Sequence, residues 1–429
     1  MKFAKLFQQV LEEEEVPDDW VQRAVQYKAL KKRINKVVDE LESIGLAKEN
    51  MSLDYDIKRI ERELHPVLNL SVSPLMKKVI IDKLRELKYS YDITTLGTPE
   101  NEPKLVELQS NNDTSSCLSA ADPFDDSPFY LIKVYTHEDL KFFQTLYDEL
   151  EGLGVFKQEQ EVIIKNNVEN LASVISHVAS PNAKRSDMYA WREIFQLYID
   201  TQIFFSTQEH SAGERNIQQS REKFLIFMSR VESSKALRRF KHKESVKLFA
   251  EFKQLNEQLL KVSTFQIMNS MAVAKILKKF DKRTRLHSKA IFPEVIEKSQ
   301  QVNILHGSVA KDMCAIIASR LLNIIPQIDD YTCPICCSVA FKPIRLDCGH
   351  LFCVRCLVKL QRKNEDRCPL CRQDVLLNAD ERNLDTAQMS YMKLYFPKEV
   401  KQKQTENEKE VFKEQYGTIV DPDAKCVIV

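Results

Sequence analysis

CPICCSVAFKPIRLDCGHLFCVRCLVKLQRKNEDRCPLC, residues 333–371, carries four couples of metal-ligand side chains: Cys333 with Cys336, Cys348 with His350, Cys353 with Cys356, and Cys368 with Cys371. One or two residues between the members of a couple let a tight turn aim both donors at one point, which is what a tetrahedral zinc ion requires. Eight donors make two closed sites. With no open coordination position, such metals hold a fold and do not activate water. A disulfide knot or a chance cluster of buried cysteines would not produce four correctly spaced couples. Spacing alone leaves open whether the couples are used sequentially or interleaved.

The order of ligands, seven Cys with one His in fourth place, together with CPIC, CGHLFC and CPLCR, resembles a RING finger. The resemblance implies interleaved sites, Cys333, Cys336, Cys353 and Cys356 on one zinc and Cys348, His350, Cys368 and Cys371 on the other, with Cys337 a spare thiol. So short a stretch buries too little apolar surface to fold unaided, so bound zinc supplies most of its folding free energy. Nothing in it pairs a free nucleophile with a base, so its function lies in its surfaces. A RING recruits a ubiquitin-conjugating enzyme and holds its thioester-linked ubiquitin in a reactive pose. The positions matching the recruiting groove are Ile335, Leu360, Pro369 and Leu370, and Arg372 matches the arginine that bridges conjugating enzyme and ubiquitin. Lysine would serve poorly at that last place, because it lacks a planar multi-donor fork.

Around this module lies a soluble, mainly α chain. Of 429 residues 43% are hydrophobic and 29% charged, and only 8 are glycine, which implies long helices with few tight turns. Lys plus Arg (63) nearly cancels Asp plus Glu (62), so no global field drives binding to nucleic acid, and charge-based recognition must be local. The cysteines outside the couples, Cys117, Cys314, Cys337 and Cys426, are scattered, which fits a reducing compartment. MKFAKLFQQVLEEEE lacks the apolar core of a signal peptide and no run spans a bilayer, so the expected location is the cytoplasm or nucleus. The terminal Cys426-Val427-Ile428-Val429 has the form of a prenylation box, a potential weak lipid anchor.

Along the chain, MKFAKLFQQVL and the face Tyr27, Leu30, Ile34, Val37 and Leu41 read as a helical hairpin, with Gly45 as a stop. Helical spacing continues from Leu53 to Tyr91, interrupted by Pro66 and Pro74. Residues 98–128 turn to Asn, Asp, Ser and Pro, the composition of a mobile loop. A long helix follows with Phe143, Leu146, Leu150, Leu153, Phe156, Ile164, Val168, Leu171 and Ile175 on its core face. The next helix carries Trp191, Phe195, Tyr198, Gln202 and Phe205, and another buries Leu248, Phe252, Leu255, Leu259 and Val262. That last helix ends in AKILKKFDKRTRL, whose Lys275, Lys279 and Lys282 share a face with Lys278 at its margin. Such a cluster is either a solvated helix end that complements the macrodipole or an anion site built from convergent ammonium groups.

MKF at the start, YKALKK at 27–32, FFQTLYDELEGLGVF at 142–156 and KILKKFDK at 275–282 occur in the order of an SPX domain. The resemblance covers about residues 1–292 with long insertions, and with the RING it is similar to the fungal SPX-RING proteins. It implies a helical bundle that binds inositol polyphosphates or pyrophosphates through Tyr27, Lys31, Lys279 and the surrounding Lys275, Lys278 and Lys282, with Lys2 contributing. Ala4 replaces a usual glycine and NSMAVAKIL the usual lead-in to the lysines. The expected organisation is an SPX-like bundle over 1–292, a connecting helix over 293–328 (Val309, Met313, Ile316 and Leu321), a small α+β RING over 329–375 and a charged helical tail over 376–429. The implied function is a phosphate-responsive RING-type ubiquitin-protein ligase whose partners are a ubiquitin-conjugating enzyme, ubiquitin and an inositol phosphate. A non-enzymatic phosphate-sensing scaffold is the alternative.

Overall fold

Scarce glycine does translate into long helices. The computed structural model describes residues 3–13, 16–45, 52–60, 63–95, 130–206, 213–297 and 309–416. In chain order these form α1 (Phe3–Glu13), α2 (Asp18–Arg23), α3 (Tyr27–Ile44), β1 (Ser52–Ile60), β2 (Glu63–Val72), α4 (Pro74–Glu86), β3 (Ser90–Thr95), β4 (Tyr130–Tyr135) and α5 (His137–Val178). Then come α6 (Met188–Thr201), β5 (Phe205–Ser206), β6 (Gly213–Glu214), α7 (Ile217–Ser234), α8 (Lys243–Thr284), α9 (Ser288–Glu297) and α10 (Val309–Arg320). The remainder is β7 (Pro343–Arg345), β8 (Leu351–Cys353), α11 (Val354–Gln361), α12 (Thr386–Tyr395) and α13 (Pro397–Tyr416). The chain packs as two units, Met1–Ile163 with Leu259–Val309, and Ile164–Gln258 with Ala310–Val429, so that α5 and α8 each contribute to both.

The first unit is organised by aromatic side chains. Trp20 packs edge-on against Phe156 at 4.8 Å and Phe265 at 5.7 Å, and Phe142, Phe143, Phe280 and Phe292 form a second fully buried group. Edge-to-face and offset pairs of this kind add to the area term, which is how a bundle with few Leu-rich seams gains a unique packing. Its polar contacts are helix-end devices. Glu40, though buried, accepts from the backbone amides of His137 and Glu138 at 2.8 Å each, and so caps the amino end of α5 from α3. Asn269 of α8 accepts from Val25 N at 2.8 Å and fixes the turn between α2 and α3. Gly45 ends α3 at φ +85°, the left-handed cap expected of it.

The expectation of helix over 53–91 holds only for α4, and the strands on either side of it correct the rest. β1 and β2 form an antiparallel hairpin, and the sheet runs β1-β2-β4-β3. The alternation Tyr55, Ile57 and Leu68, Leu70, Val72, all buried, has a period of two, which the prolines obscured. Pro66 is tolerated because β2 pairs with β4 only from Leu68 to Val72, leaving Pro66 in a stretch with one neighbouring strand. Pro74 opens α4 at its first turn, where a missing N–H costs nothing. The loop expected at 98–128 lies outside the described residues.

In the second unit, Trp191, Phe195, Tyr198, Phe227 and Phe252 interlock between α6, α7 and α8. Buried Asp187 collects the Lys241 and His242 amides and the Ser245 hydroxyl, and Ser245 in turn accepts from the Trp191 indole. Helix α6 stops sooner than expected: Gln202 is its left-handed cap and Phe205 lies in β5. On α10 the buried side chain is Ile317 in place of Ile316, because Val309, Met313, Ile317 and Leu321 keep strict four-residue spacing. No helix among the described residues is long and apolar enough to cross a membrane.

Candidate functional site

The metal-ligand residues are brought together by three short elements and two turns. β7 and β8 pair through Ile344 and Phe352, and Gly349 at φ +85° makes the bend that sets Cys348 and His350 side by side. Cys353 closes β8 and stands at the amino cap of α11, which places Cys356 one turn on. The remaining couples sit on matched knuckles. In the first, Cys337 N donates to Cys333 O at 2.8 Å and Cys337 has φ +52°; in the second, Arg372 N donates to Cys368 O at 2.9 Å and Arg372 has φ +62°. Both are closed by the next pair outward, Cys333 N to Ser338 O and Cys368 N to Gln373 O, each at 2.8 Å.

Two clusters result, Cys333, Cys336, Cys353, Cys356 and Cys348, His350, Cys368, Cys371, with the donor atoms of each within 4.8 Å of one another. This is the interleaved arrangement. The Cys336 and Cys353 sulfurs are 3.8 Å apart, and His350 Nδ1 lies 3.4 Å from the Cys348 sulfur and 3.5 Å from that of Cys368. A tetrahedron with Zn–S near 2.3 Å and Zn–N near 2.0 Å has edges of about 3.8 Å and about 3.5 Å, so both donor sets fit a zinc ion. Backbone amides of Phe341 and Cys353 point at the sulfurs of Cys353 and Cys333, at 3.2 and 3.4 Å, the outer contacts that stabilise bound thiolate. Cys337, which is exposed, and Cys314, whose thiol burial pushes up to about 12, lie in neither cluster.

The surface beside the knuckles carries the expected apolar positions. Ile335 and Leu370 occupy equivalent places in the two knuckles and are 39% and 52% exposed, Pro369 is exposed, and Leu360 on α11 is half-buried against the module core. Arg372 is exposed beside the last zinc ligand. The left-handed backbone at Arg372 is a requirement of the knuckle, and it costs roughly 1 kcal/mol for a residue with a Cβ.

A feature the sequence did not assign is the role of α12 and α13. Met392, Phe396 and Val400 enter the zinc module's own core. Arg355 of α11, beside Cys356, pairs with Glu410 and Glu414 at 2.6 Å each, Lys359 also meets Glu410, and Arg362 reaches Glu414 at 3.4 Å. Lys403, mostly buried, has its ammonium form favoured by the sulfurs of Cys336 and Cys353, although burial opposes it. The tail is therefore a wall of the module. The visible signal was the apolar set Met389, Met392, Phe396 and Val400 within a charged stretch.

In the first unit, α3 and the end of α8 bring the other predicted residues together. Phe3 meets Tyr27 edge-on at 5.1 Å, and the Lys275 ammonium lies 4.0 Å over the Phe3 ring. One turn along, burial together with the charges of Lys31 and Arg283 pulls the Lys279 pKa below its ordinary value, and Arg283 donates to Asn35 at 2.5 Å. Burial raises the Tyr27 hydroxyl. Lys278 and Lys282 are exposed at one helical turn from each other. Arg283 counts in the basic cluster of the AKILKKFDKRTRL stretch but was not assigned to the anion site, and Phe3 was given no role. Lys2 and Cys426 lie outside the described residues.

The sequence matches the SPX domain over residues 1–296 and the zinc finger of C3HC4-type, RING, over residues 333–371. It is 34% identical to the transcriptional regulator of yeast form adherence 3 of Candida albicans and 36% identical to an uncharacterized RING finger protein of Schizosaccharomyces pombe, covering 100% of both chains in each case. A match limited to 12% of this chain and 10% of the other is 39% identical to the E3 ubiquitin-protein ligase TRIM31 of Mus musculus. No solved structure matches.

Proposed function

This chain belongs to the family of SPX-domain proteins and carries a C3HC4-type RING finger, and on that premise we propose that it is a RING-type ubiquitin-protein ligase regulated by inositol polyphosphates or pyrophosphates. The observation that carries the ligase half is the matched pair of knuckles, which present exposed Ile335 and Leu370 on metal-fixed turns next to the exposed Arg372. Small apolar groups on rigid turns lose little entropy on binding, so they suit a partner that must come and go. In the reaction a substrate lysine amine attacks the thioester carbonyl, an amide bond forms, and the conjugating enzyme's thiol leaves. Arg372 holds ubiquitin against the conjugating enzyme while this happens. That is catalysis by orientation. The similarity of the zinc module to a named E3 ubiquitin-protein ligase supports the reading.

The regulatory half rests on the convergence of like charges. Burial and the neighbouring charges of Lys31 and Arg283 disfavour the charged form of Lys279, so a polyphosphate bound among the three is favoured by relief of that repulsion. Lys275, Lys278 and Lys282 extend the same cationic region, the Tyr27 hydroxyl adds a neutral donor beside it, and Lys2 joins it in the family pattern.

The test is single-turnover discharge of ubiquitin from charged conjugating enzymes onto free lysine, with zinc-loaded protein. Wild type should accelerate discharge, and Arg372→Ala should slow it by about tenfold or more. Inositol pyrophosphate should change the wild-type rate and leave Lys279→Ala unaffected. If zinc-loaded wild type accelerates no conjugating enzyme, the scaffold reading replaces the ligase.

A further inference from the structure

A cleft of about 410 Å³ lies wholly in the second unit, where α6 meets the segment leading into the zinc module and the start of α13. Its wall holds two deeply buried polar groups with unmet hydrogen-bonding capacity. Arg192, 4% exposed, donates from Nε to the Pro326 carbonyl at 2.9 Å and from Nη2 to the Tyr395 carbonyl at 2.8 Å, while Nη1 makes no hydrogen bond. Gln327, 8% exposed, donates from Nε2 to the Ile325 carbonyl at 3.1 Å, while Oε1 accepts nothing. One orphan is a cationic donor and the other a neutral acceptor. Buried groups of this kind are normally satisfied, and two orphans in one cleft define what a ligand must supply.

The charges narrow the choice. The Arg192 guanidinium and the Lys398 ammonium lie 5.0 and 4.2 Å from the Tyr189 ring centroid, and Lys398 forms no ion pair among the described residues. The Tyr189 hydroxyl is close enough to favour the Arg192 cation, yet it makes no hydrogen bond with Nη1; it donates to Glu399 at 2.8 Å and accepts from the Lys398 amide at 3.2 Å. Two acids also line the cleft: Glu193, held by Arg239, and Asp329, which accepts from Gln196 at 3.3 Å. They disfavour a phosphate dianion, which has no donor for Gln327 either. A carboxylate flanked by an N–H group meets every requirement.

We propose that this cleft binds the free carboxyl terminus of a peptide or protein, with the carboxylate on Arg192 Nη1 and Lys398 and the last amide N–H on Gln327 Oε1. Its volume lies in the range of small-ligand sites, roughly 300–1,000 Å³, enough for terminal residues of a chain. The inference stands on the cleft alone and holds whether or not the zinc module is a ligase; if it is, the cleft supplies a way to choose substrates by their ends.

The test uses zinc-loaded full-length protein on an array of pentapeptides, degenerate at four positions and carrying each of the twenty residues at the end, made once as free acids and once as carboxamides. A subset of the free acids should bind saturably, and amidation should weaken them by about tenfold or more, the loss of one charge-assisted contact. Gln327→Glu, which places a carboxylate opposite the ligand's own, and Lys398→Glu should each weaken binding by a similar factor in protein whose melting temperature is unchanged. Saturable binding that ignores amidation or either substitution would overturn the assignment. So would the lack of any saturable binding below about 1 mM, which would leave the two orphans to ordered water.

Discussion

Cys336 and Cys353 stand 3.8 Å apart because two tight turns and one helix start aim them there, while Arg283 and Asn35 touch across 248 residues of sequence because an aromatic core holds α8 against α3. The zinc sites are made locally and stabilised by the ion they bind. The basic cluster is made by tertiary packing and opposed by its own charges. A local site declares itself through spacing, and its stability is conditional on metal; a packed site is silent in sequence, and its stability is conditional on a core some distance away. The sharpest way to break this comparison is to remove the metal. Chelation, or Cys348→Ser, should strip the zinc module of roughly 10 kcal/mol of folding free energy. The first unit should be indifferent. With Trp191→Phe, Trp20 becomes the sole tryptophan, so its fluorescence melting curve should be unchanged by chelator while zinc content falls from two ions per chain. A melting curve that shifts with zinc would mean that the two regions fold together.

The same distinction explains what could be read in advance. All eight zinc donors were legible from ligand type and spacing, and their interleaved wiring from the resemblance alone. Tyr27, Lys31, Lys275 and Lys279 were legible only through a motif; nothing in the periodicity of α3 or α8 says that the two helices face each other. For that reason Phe3 and Arg283, though inside the quoted stretches, were given no place in the site. The sheet at 52–72 was missed because Pro66 and Pro74 resemble helix interruptions, whereas a proline on the unpaired part of a strand leaves the alternation intact. The packing of α12 and α13 was hidden by their charge. A few apolar side chains among many lysines and glutamates read as a support or a tail, yet three of them, Met392, Phe396 and Val400, complete the zinc module's core.

Protonation sharpens the comparison from the other side. In the first unit burial raises Asp139 to about 6 and Glu149 to about 7, although Asp139 accepts from the Tyr55 hydroxyl at 3.0 Å and Glu149 from the Gln26 amide at 3.2 Å. Between pH 4 and 7 the folded state therefore holds more protons than the unfolded chain, so stability falls as pH rises through that window. The first unit should be more stable at pH 5 than at pH 7.5, by about 1–3 kcal/mol. Urea titrations followed at Trp20 measure this, and Asp139→Asn, which keeps the contact with Tyr55, should flatten the slope. A basic site is expected to behave in the same spirit. Lys279→Met should raise first-unit stability by about 0.5–1 kcal/mol by removing a partly buried charge from its neighbours Lys31 and Arg283, while losing the response to inositol pyrophosphate. A destabilised Lys279→Met would mean that the lysine serves packing and not a ligand.

The smallest expected effect tests whether the tail's charges or its apolar side chains fasten it to the zinc module. Lys359 and Arg355 hold the Glu410 carboxyl at about 2, below the usual range, so this contribution is present above the ordinary glutamate value near 4.5 and is lost as pH falls toward 2. Glu410 is 44% exposed, however, and Arg355 is the only partner largely out of solvent, at 15%. Screening by water therefore reduces the pair to roughly 0.5 kcal/mol. A double-mutant cycle of Arg355→Ala and Glu410→Gln, read as the rate of zinc release to a chelator at pH 7, should give a coupling of that size that fades in 1 M salt, where the Debye length is about 3 Å. Phe396→Ala should cost several times more, about 3 kcal/mol or above, because its ring is fully buried in the module core and stacked under Arg192 at 4.3 Å. A coupling that exceeded the cost of the Phe396 change would reverse the assignment, making the helix an ion-paired strap in place of a packed wall, and its attachment would then be tunable by salt and pH as the zinc sites themselves are tunable by metal.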